Sequence, residues 1–212
     1  MRGPRGKAAV FLDRDNTLIE DVPNCARPAD VRLLNGAADA VRTLNSLGFL
    51  TIVITNQSAI GRGILTLKQL DEVHVELRNQ LAASKARIDA IYFCPHLPTD
   101  GCACRKPGTR LFERACEELE VNPRQSFVVG DRGADIEAGL RMGCRTVLIQ
   151  GKLGLSDLAL SGINPTVSCV GLKEFVQWLV THMPDWRMNA NGGSAGSEAH
   201  RVSASSEVDR DG

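Results

Sequence analysis

Two carboxylates and a hydroxyl stand close together near the start of the chain. Asp13 and Asp15 follow an apolar run at residues 8–12, and Thr17 comes two residues later. The run is long enough for a buried strand and too short for a membrane span. Two carboxylates this close repel each other unless a cation lies between them. The pair therefore predicts a divalent metal and a phosphate at the end of a strand. Taken alone, this stretch is equally compatible with an ordinary acidic turn.

Three further groups of polar residues could join this pair. Thr55 opens a stretch of hydroxyl and amide side chains at residues 55–58, which can hold phosphate oxygens. Lys106 can neutralise a transferring phosphoryl group, and Asp131 adds another carboxylate. Taken alone, each group is a weak signal and is explained more simply as a turn, a solvated surface cation or a helix cap. Each of them also follows a strand-like segment, and chance alignment of all four groups is improbable.

Strand-like and helix-like segments alternate along the chain. Apolar runs predict strands at residues 8–12, 49–55, 88–93, 126–130, 145–149 and, more weakly, 166–170. Helical spacing predicts helices at 36–47, 67–81, 111–119, 134–142 and 172–182, with a capping box of Thr66 and Gln69 before the second. We therefore expect an α/β fold, a Rossmann-like doubly wound parallel sheet with helices on both faces. Such sheets bind ligands at the carboxyl edge, where the four polar groups would meet.

A separate group of metal-ligand residues lies between the third strand and Lys106. Cys94, His96, Cys102 and Cys104 stand within eleven residues. Three thiolates and one imidazole fit tetrahedral Zn²⁺, and because all four positions are filled the site would be structural. The alternative is a reduced cysteine-rich loop without metal.

Composition limits the partners and the compartment. The chain has 212 residues, 43% of them hydrophobic, and a formal net charge of zero, so it lacks the electrostatic footprint of a nucleic-acid-binding protein. No segment approaches the ~20 apolar residues of a membrane span, and the first apolar run is too short for a signal peptide. We expect a cytoplasmic protein with reduced thiols. Residues 187–212 lack aromatic residues and are rich in Gly, Ser, Ala and Asn, which predicts a disordered tail after a domain at 1–186.

The order of these motifs resembles the haloacid dehalogenase-like phosphatases. That order is Asp-x-Asp-x-Thr at 13–17, a strand-end Thr at 55, a Lys at 106 and Gly-Asp-x-x-x-Asp at 130–135. The stretches 13–17, 55–58, 94–96 and 102–107 look like the heptose bisphosphate and histidinol-phosphate phosphatase branch. The resemblance runs from about residue 8 to residue 150.

The resemblance implies a role for each catalytic residue. Asp13 would be the nucleophile that forms an aspartyl-phosphate, and Asp15 would protonate the leaving alcohol and then activate water. Thr55 and Lys106 would bind the phosphoryl oxygens. Asp13, the backbone carbonyl of Asp15, and Asp131 would hold Mg²⁺.

The resemblance also implies substrate contacts and an open site. The substrate-binding residues would be Asp21, Asn56, Gln57, Ser58, Arg105 and Arg132, with the two arginines meeting a second anionic group. Asp135 would support the site without binding the metal. No segment between residues 55 and 130 is long enough for a large cap domain, so we expect a minimal cap.

The expected activity is Mg²⁺-dependent hydrolysis of a small sugar phosphate by a monomer. The first choice of substrate is D-glycero-D-manno-heptose 1,7-bisphosphate, cut at the 7-phosphate. Residues 23–26 replace an aromatic-containing stretch of the heptose phosphatases, and that loop helps to shape the substrate pocket. Histidinol phosphate is an alternative substrate, and a zinc-stabilised interaction module without catalysis is an alternative function.

Overall fold

Six parallel strands form the centre of the fold. The computed structural model describes residues 6–150 and 163–183. The strands are β1 (Ala9–Leu12), β2 (Leu50–Asn56), β3 (Ala90–Cys94), β4 (Phe127–Gly130), β5 (Arg145–Ile149) and β6 (Val167–Cys169). They are ordered β3-β2-β1-β4-β5-β6, which is the doubly wound order, and every adjacent pair is parallel.

Helices connect the strands. They are α1 (Ala37–Ser46), α2 (Ser58–Gly61), α3 (Leu67–Ala83), α4 (Arg110–Leu119), α5 (Gly133–Arg141) and α6 (Leu172–His182), with 3₁₀ turns at Pro28–Asp30, Pro98–Asp100 and Pro123–Gln125. The predicted capping box begins α3. The Thr66 hydroxyl accepts from the backbone amide of Gln69 at 3.2 Å, and the Gln69 side-chain oxygen accepts from the backbone amide of Thr66 at 3.0 Å. Among the described residues, no helix is both long and apolar enough to cross a membrane.

Strand β1 contacts apolar side chains on both faces of the sheet. Val10 and Leu12 belong to a core cluster shared with α1, α3 and α6, whereas Ala9 and Phe11 belong to a second cluster shared with α4 and α5. A strand buried on both faces reads as a continuous apolar run, which is why residues 8–12 do not alternate with polar residues. The predicted fold class is confirmed.

The carboxyl ends of β1 and β4 mark the point where the chain changes direction across the sheet. Strand β1 pairs with β2 on one side and β4 on the other, and the Asp13 amide donates to the Val129 carbonyl at 2.9 Å. Loops leave such a switch point toward opposite faces and open a crevice between them. Asp13 and Asp131 therefore stand on either side of one crevice.

The element boundaries lie within two residues of the predicted ones, and those of β5 and α6 coincide with them. Strand β3 begins at Ala90, two residues later than predicted, because Asp89 turns its carboxylate onto the Thr51 amide at 2.8 Å. The short helix α2, which the sequence did not predict, occupies the first residues of the loop after β2. The predicted tail at 187–212 lies outside the described residues, as does the end of the predicted 1–186 domain.

Candidate active site

A polar cavity of about 430 Å³ lies at the carboxyl edge of the sheet. The residues lining it are Asp13, Asp15, Asn16, Asp21, Thr55, Asn56, Arg105, Lys106, Asp131, Arg132, Ala134 and Asp135. They lie at or just beyond the carboxyl ends of β1, β2, β3 and β4, so the four predicted polar groups meet. Two predicted substrate contacts, Gln57 and Ser58, are not among these lining residues, and Ser58 begins α2.

The Lys106 ammonium is fixed by three oxygen atoms. Its Nζ lies 2.7 Å from Asp13 Oδ1 and 2.6 Å from Asp135 Oδ1, and it donates to the Ile54 carbonyl at 2.7 Å. Burial opposes the positive charge, but the Asp13 and Asp135 carboxylates outweigh burial and raise the pKa of Lys106 above its usual value. The ammonium is therefore a permanent, immobile cation beside Asp13.

The backbone of Lys106 is held by the side chain of Asn56. The Asn56 oxygen accepts from the Lys106 amide at 3.1 Å, and its nitrogen donates to the Lys106 carbonyl at 3.3 Å. The sequence predicted Asn56 as a substrate contact, yet its amide group is occupied with the lysine. Local sequence carries no signal for this pairing, because the two residues are 50 positions apart.

Asn56→Ala should lower turnover about tenfold. The substitution removes the two hydrogen bonds that fix Lys106, and a loss of about 1.4 kcal/mol in transition-state stabilisation corresponds to a factor of ten in rate. Asn45→Ala is a matched control. Asn45 holds the backbone of Arg87 in the same two-bond manner, at 2.8 and 3.2 Å, away from the cavity. Melting temperature and phosphate release should be measured for both variants. Equal losses of turnover would show that Asn56 acts through general stability.

Arg14 and Gln57 hold the carboxylate of Asp15. Arg14 donates from Nε and Nη2 to Oδ1 at 3.1 and 3.0 Å, and Gln57 Nε2 donates to Oδ2 at 3.0 Å. Gln57 Nε2 also donates to the Thr55 hydroxyl at 2.9 Å, so it joins two predicted catalytic residues. Burial raises the pKa of Asp15 by more than the Arg14 charge lowers it. A raised pKa lets the carboxyl keep its proton to a higher pH, and the protonated form is the one that can donate a proton.

Three carboxylates form an oxygen-rich cluster. One oxygen each of Asp13, Asp131 and Asp135 lies within 4.8 Å of the others. Burial, with the charges of Asp13 and Asp135, raises the pKa of Asp131 to about 6. Crowded oxygen ligands suit a hard divalent ion such as Mg²⁺, so the residues present fit the predicted metal.

Asp135 differs from the other two carboxylates because both of its oxygens are engaged. Oδ1 pairs with Lys106, and Oδ2 accepts from the Arg132 amide at 3.0 Å. Gly130 makes this position possible, since a Cβ there would lie 2.3 Å from the Asp135 carboxylate. Both Asp135 oxygens therefore have a partner within the protein, whereas its role as a support that does not bind the metal stays a prediction.

Asn16 is a lining residue that the sequence analysis missed. Its Nδ2 donates to Asp131 Oδ2 at 3.1 Å and to Asp21 Oδ2 at 3.4 Å. The backbone there has φ of 55°, a left-handed conformation that Asn tolerates better than most residues. An Asn in a tight turn was the available signal. Asn16 ties the loop after β1 to the carboxylate that follows β4.

The two predicted substrate arginines, Arg105 and Arg132, stand at the cavity. Arg132 Nε lies 3.5 Å from Asp131 Oδ2, and its side chain is 41% exposed. Arg105 Nη1 donates to the His96 carbonyl at 3.5 Å. Both guanidinium groups line the cavity, so they can meet an anionic group on a bound molecule.

The four predicted zinc ligands converge next to Lys106. The Sγ atom of Cys94 lies 3.6 Å from that of Cys102 and 3.2 Å from that of Cys104, and the last two are 3.6 Å apart. His96 Nδ1 lies 3.5 Å from Cys94 Sγ and 3.1 Å from Cys104 Sγ. Zn–S bonds of about 2.3 Å in a tetrahedron separate two sulfurs by about 3.8 Å. The donor set and its spacing therefore fit a closed zinc site.

The chain is similar to known proteins across most of its length. Residues 103–175 match the HAD-hydrolase-like family model. The D-glycero-beta-D-manno-heptose-1,7-bisphosphate 7-phosphatase of Helicobacter pylori strain J99 is 33% identical over 172 residues, covering 81% of this chain and 96% of that protein. A probable heptose-1,7-bisphosphate 7-phosphatase of Thermoplasma volcanium is 42% identical over 123 residues, covering 58% of this chain and 84% of that protein.

A solved structure extends the similarity to three dimensions. The D,D-heptose 1,7-bisphosphate phosphatase of B. bronchiseptica, solved with magnesium and phosphate, superposes with a TM-score of 0.77 at 30% identity. The match covers 82% of this chain and 99% of that one. The chain belongs to the haloacid dehalogenase-like hydrolases, in the branch of the heptose 1,7-bisphosphate phosphatases.

Proposed function

We propose that this protein is a Mg²⁺-dependent phosphatase that removes the 7-phosphate of D-glycero-D-manno-heptose 1,7-bisphosphate through an aspartyl-phosphate intermediate. The observation that carries the proposal is the position of Asp13. Its carboxylate lines an open polar cavity, pairs with the buried Lys106 ammonium at 2.7 Å and faces Asp131. The relatives named above act on this substrate according to their names, and the cavity has the charged groups that a bisphosphate requires.

In the first half of the reaction, an Asp13 oxygen attacks phosphorus and the bond from phosphorus to the sugar oxygen breaks. Asp15 gives its proton to that oxygen, so the alcohol leaves neutral. In the second half, Asp15 takes a proton from water, which attacks phosphorus, releases inorganic phosphate and regenerates Asp13. Lys106 offsets the negative charge of the phosphoryl group throughout. The Thr55 hydroxyl accepts from Gln57, which leaves its own proton free for a phosphoryl oxygen.

Magnesium would be held by Asp13, the backbone carbonyl of Asp15, and Asp131. When bound, the ion reduces the repulsion between the carboxylate and the phosphate dianion. We assign Asp135 to holding Lys106, because its two oxygens already have partners. Asn16 orients Asp131 by its 3.1 Å hydrogen bond.

The second phosphate of the substrate would meet Arg105 and Arg132, and Asp21 would accept from sugar hydroxyls. All three side chains line the cavity. Histidinol phosphate lacks a second phosphate and leaves the two arginines without an anionic partner, so we rank it below the heptose bisphosphate.

We propose that the protein is a monomer that acts on a free metabolite in the cytoplasm, without nucleic acid or membrane partners. The seven cysteines form no disulfide, which suits a reducing compartment.

Phosphate release from a panel of substrates tests this proposal. The panel contains the heptose 1,7-bisphosphate, its 1-phosphate and 7-phosphate monoesters, and histidinol phosphate, each with Mg²⁺ and with a chelator. We expect turnover only with Mg²⁺, the highest kcat/KM for the bisphosphate, and the 1-phosphate monoester as its product. A preference for histidinol phosphate would reassign the substrate. No release from any compound would favour a non-catalytic zinc module.

We further propose that Cys94, His96, Cys102 and Cys104 hold a structural Zn²⁺ that positions Lys106. Only Arg105 separates Cys104 from Lys106, so a metal that fixes one also fixes the backbone of the other. The energy of binding a structural zinc orders the loop that carries its ligands. The zinc-binding loop and Asn56, at the end of β2, would together hold the backbone of Lys106.

Cys104→Ser should lower zinc content and reduce turnover about 10- to 100-fold, because a catalytic charge that is displaced by about 1 Å loses much of its effect. The control is Cys116→Ala. Cys116 packs beside the same core cluster as Cys102 and Cys104 but lies outside the four-ligand set, so zinc content should stay unchanged. Elemental analysis and turnover should be measured on protein purified without chelators. Wild-type protein without zinc contradicts the ligand assignment, and a zinc-free Cys104→Ser variant with full turnover contradicts the link to Lys106.

A further inference from the structure

Arg14 is the largest fully buried side chain among the described residues, with 1% of its surface exposed. Arginine is almost never buried this far unless its charge is paired. The partner here is Asp15, the next residue in the chain. Arg14 is not among the residues that line the cavity, whereas its partner Asp15 is.

A bend in the backbone brings these two side chains together. Consecutive residues of a strand point to opposite faces, but the chain leaves β1 at Asp13 and turns. The amides of Leu18 and Ile19 both donate to the Arg14 carbonyl, at 2.9 and 3.1 Å. Within this turn the Arg14 guanidinium meets the Asp15 carboxylate with two nitrogens.

The pairing leaves few orientations open to Asp15. Arg14 Nη2 lies 3.0 Å from Oδ1 and 3.1 Å from Oδ2, and Arg14 Nε lies 3.1 Å from Oδ1. Gln57 Nε2 adds a hydrogen bond to Oδ2 at 3.0 Å. A planar fork of nitrogens fixes the plane of a carboxylate as well as its position. The Asp15 side chain is nevertheless 26% exposed and lines the cavity.

Stability does not explain why a charge is buried here. Replacing a buried ion pair by apolar residues of similar volume is often neutral or stabilising. Arg14 Nη1 has no hydrogen-bond partner among the described residues, and neither has Nε2 of His74, which is also buried. Burial, with the Arg14 and Arg78 charges, lowers the pKa of His74 to about 3, so this imidazole is neutral and does not attract the Asp15 carboxylate.

We propose that Arg14 is a positioning residue, whose buried guanidinium aims the Asp15 carboxyl at the leaving oxygen of the substrate. The inference rests on the proposed function of Asp15 as general acid. Such an acid must lie within hydrogen-bond reach of the oxygen it protonates. Losing the fork should therefore matter most where the leaving alcohol needs a proton.

The test compares two substrates in the Arg14→Met variant. One is the heptose bisphosphate, which has a poor alkoxide leaving group, and the other is 4-nitrophenyl phosphate, whose phenolate leaves without a proton. The value of kcat/KM covers only steps up to departure of the alcohol. We expect a loss of about 10- to 100-fold for the alkyl ester, within the range of general acid catalysis, and a loss of about twofold for the aryl ester. Arg14→Lys, which keeps the charge but not the fork, should show the same pattern if Arg14→Met does not fold.

Two further measurements separate positioning from general structural support. Arg78→Met removes a part-buried arginine whose Nη1 donates to the Ile88 carbonyl, and the ratio between the two substrates should stay as in the wild type. In an Asp15→Asn background, Arg14→Met should change kcat/KM for the alkyl ester by no more than about twofold, because the two residues act as one unit.

Equal losses on both substrates, or a full further loss in the Asp15→Asn background, would overturn the role of Arg14. A wild-type protein that hydrolyses neither ester with Mg²⁺ would instead refute the proposed function. The two failures are therefore distinguishable.

Discussion

Asp13→Asn should abolish phosphate release while the protein stays folded. An amide cannot attack phosphorus to form an acyl-phosphate, and loss of a covalent nucleophile costs about 10⁴-fold or more. The Asn oxygen can still accept from Lys106 Nζ, which in the native protein lies 2.7 Å from Asp13 Oδ1. The measurements are turnover with saturating Mg²⁺ and the thermal melting curve.

Asp89→Asn is the matched control for this variant. It also turns a carboxylate into an amide, but at the opposite edge of the sheet, where Asp89 accepts from the Thr51 amide. Its turnover should equal that of the wild type. Because an Asn can deamidate to Asp, the mass of the Asp13→Asn protein must be verified. Turnover above a few per cent in verified protein would exclude Asp13 as the nucleophile.

Asp15→Asn should separate substrates by their leaving group. Without a proton donor, hydrolysis of the sugar phosphate should slow by about 10²- to 10⁴-fold. The first step with 4-nitrophenyl phosphate should slow far less, because nitrophenolate leaves as an anion. Initial rates of 4-nitrophenol formation and of sugar release, both as kcat/KM, provide the comparison. Losses of the same size for both esters would argue that Asp15 only shapes the site.

Asp15→Asn should also be less stable than Arg14→Met. Removing one partner of a buried ion pair leaves the other charge uncompensated and typically costs about 3–5 kcal/mol. Arg14 is the more deeply buried partner, with 2% of its side chain exposed against 26% for Asp15. We therefore expect Asp15→Asn to melt at the lower temperature, and we attribute this to the unpaired charge of Arg14 and not to the catalytic role of Asp15.

The sequence was enough to identify the polar residues that lie at or beyond the carboxyl ends of the strands. Asp13, Thr55, Lys106 and Asp131 could be predicted to meet because a parallel sheet brings the carboxyl ends of its strands to one edge. The zinc ligands could be predicted because all four lie within eleven residues of one loop. Both predictions depend on short stretches of chain and on a simple topological rule.

Contacts between side chains of distant segments could not be predicted in this way. The bonds from Asn56 to the Lys106 backbone join residues 50 positions apart, and nothing in either stretch indicates the other. Gln57 stands just before α2, and its side-chain amide donates to Asp15 and Thr55, contacts that the sequence did not indicate. The pairing of Arg14 with its own neighbour depends on a bend that residue types alone do not specify.

Detection of phosphate on Asp13 tests the central claim most directly. Asp15→Asn protein mixed with 4-nitrophenyl phosphate and Mg²⁺ should accumulate the aspartyl-phosphate, because the leaving group departs but water is not activated. Acid quenching, borohydride reduction of the acyl-phosphate and mass spectrometry of the peptide should then reveal homoserine at position 13, together with a burst of about one nitrophenol per chain. A burst that leaves residue 13 unmodified, or that places the modification on another residue, would contradict the account.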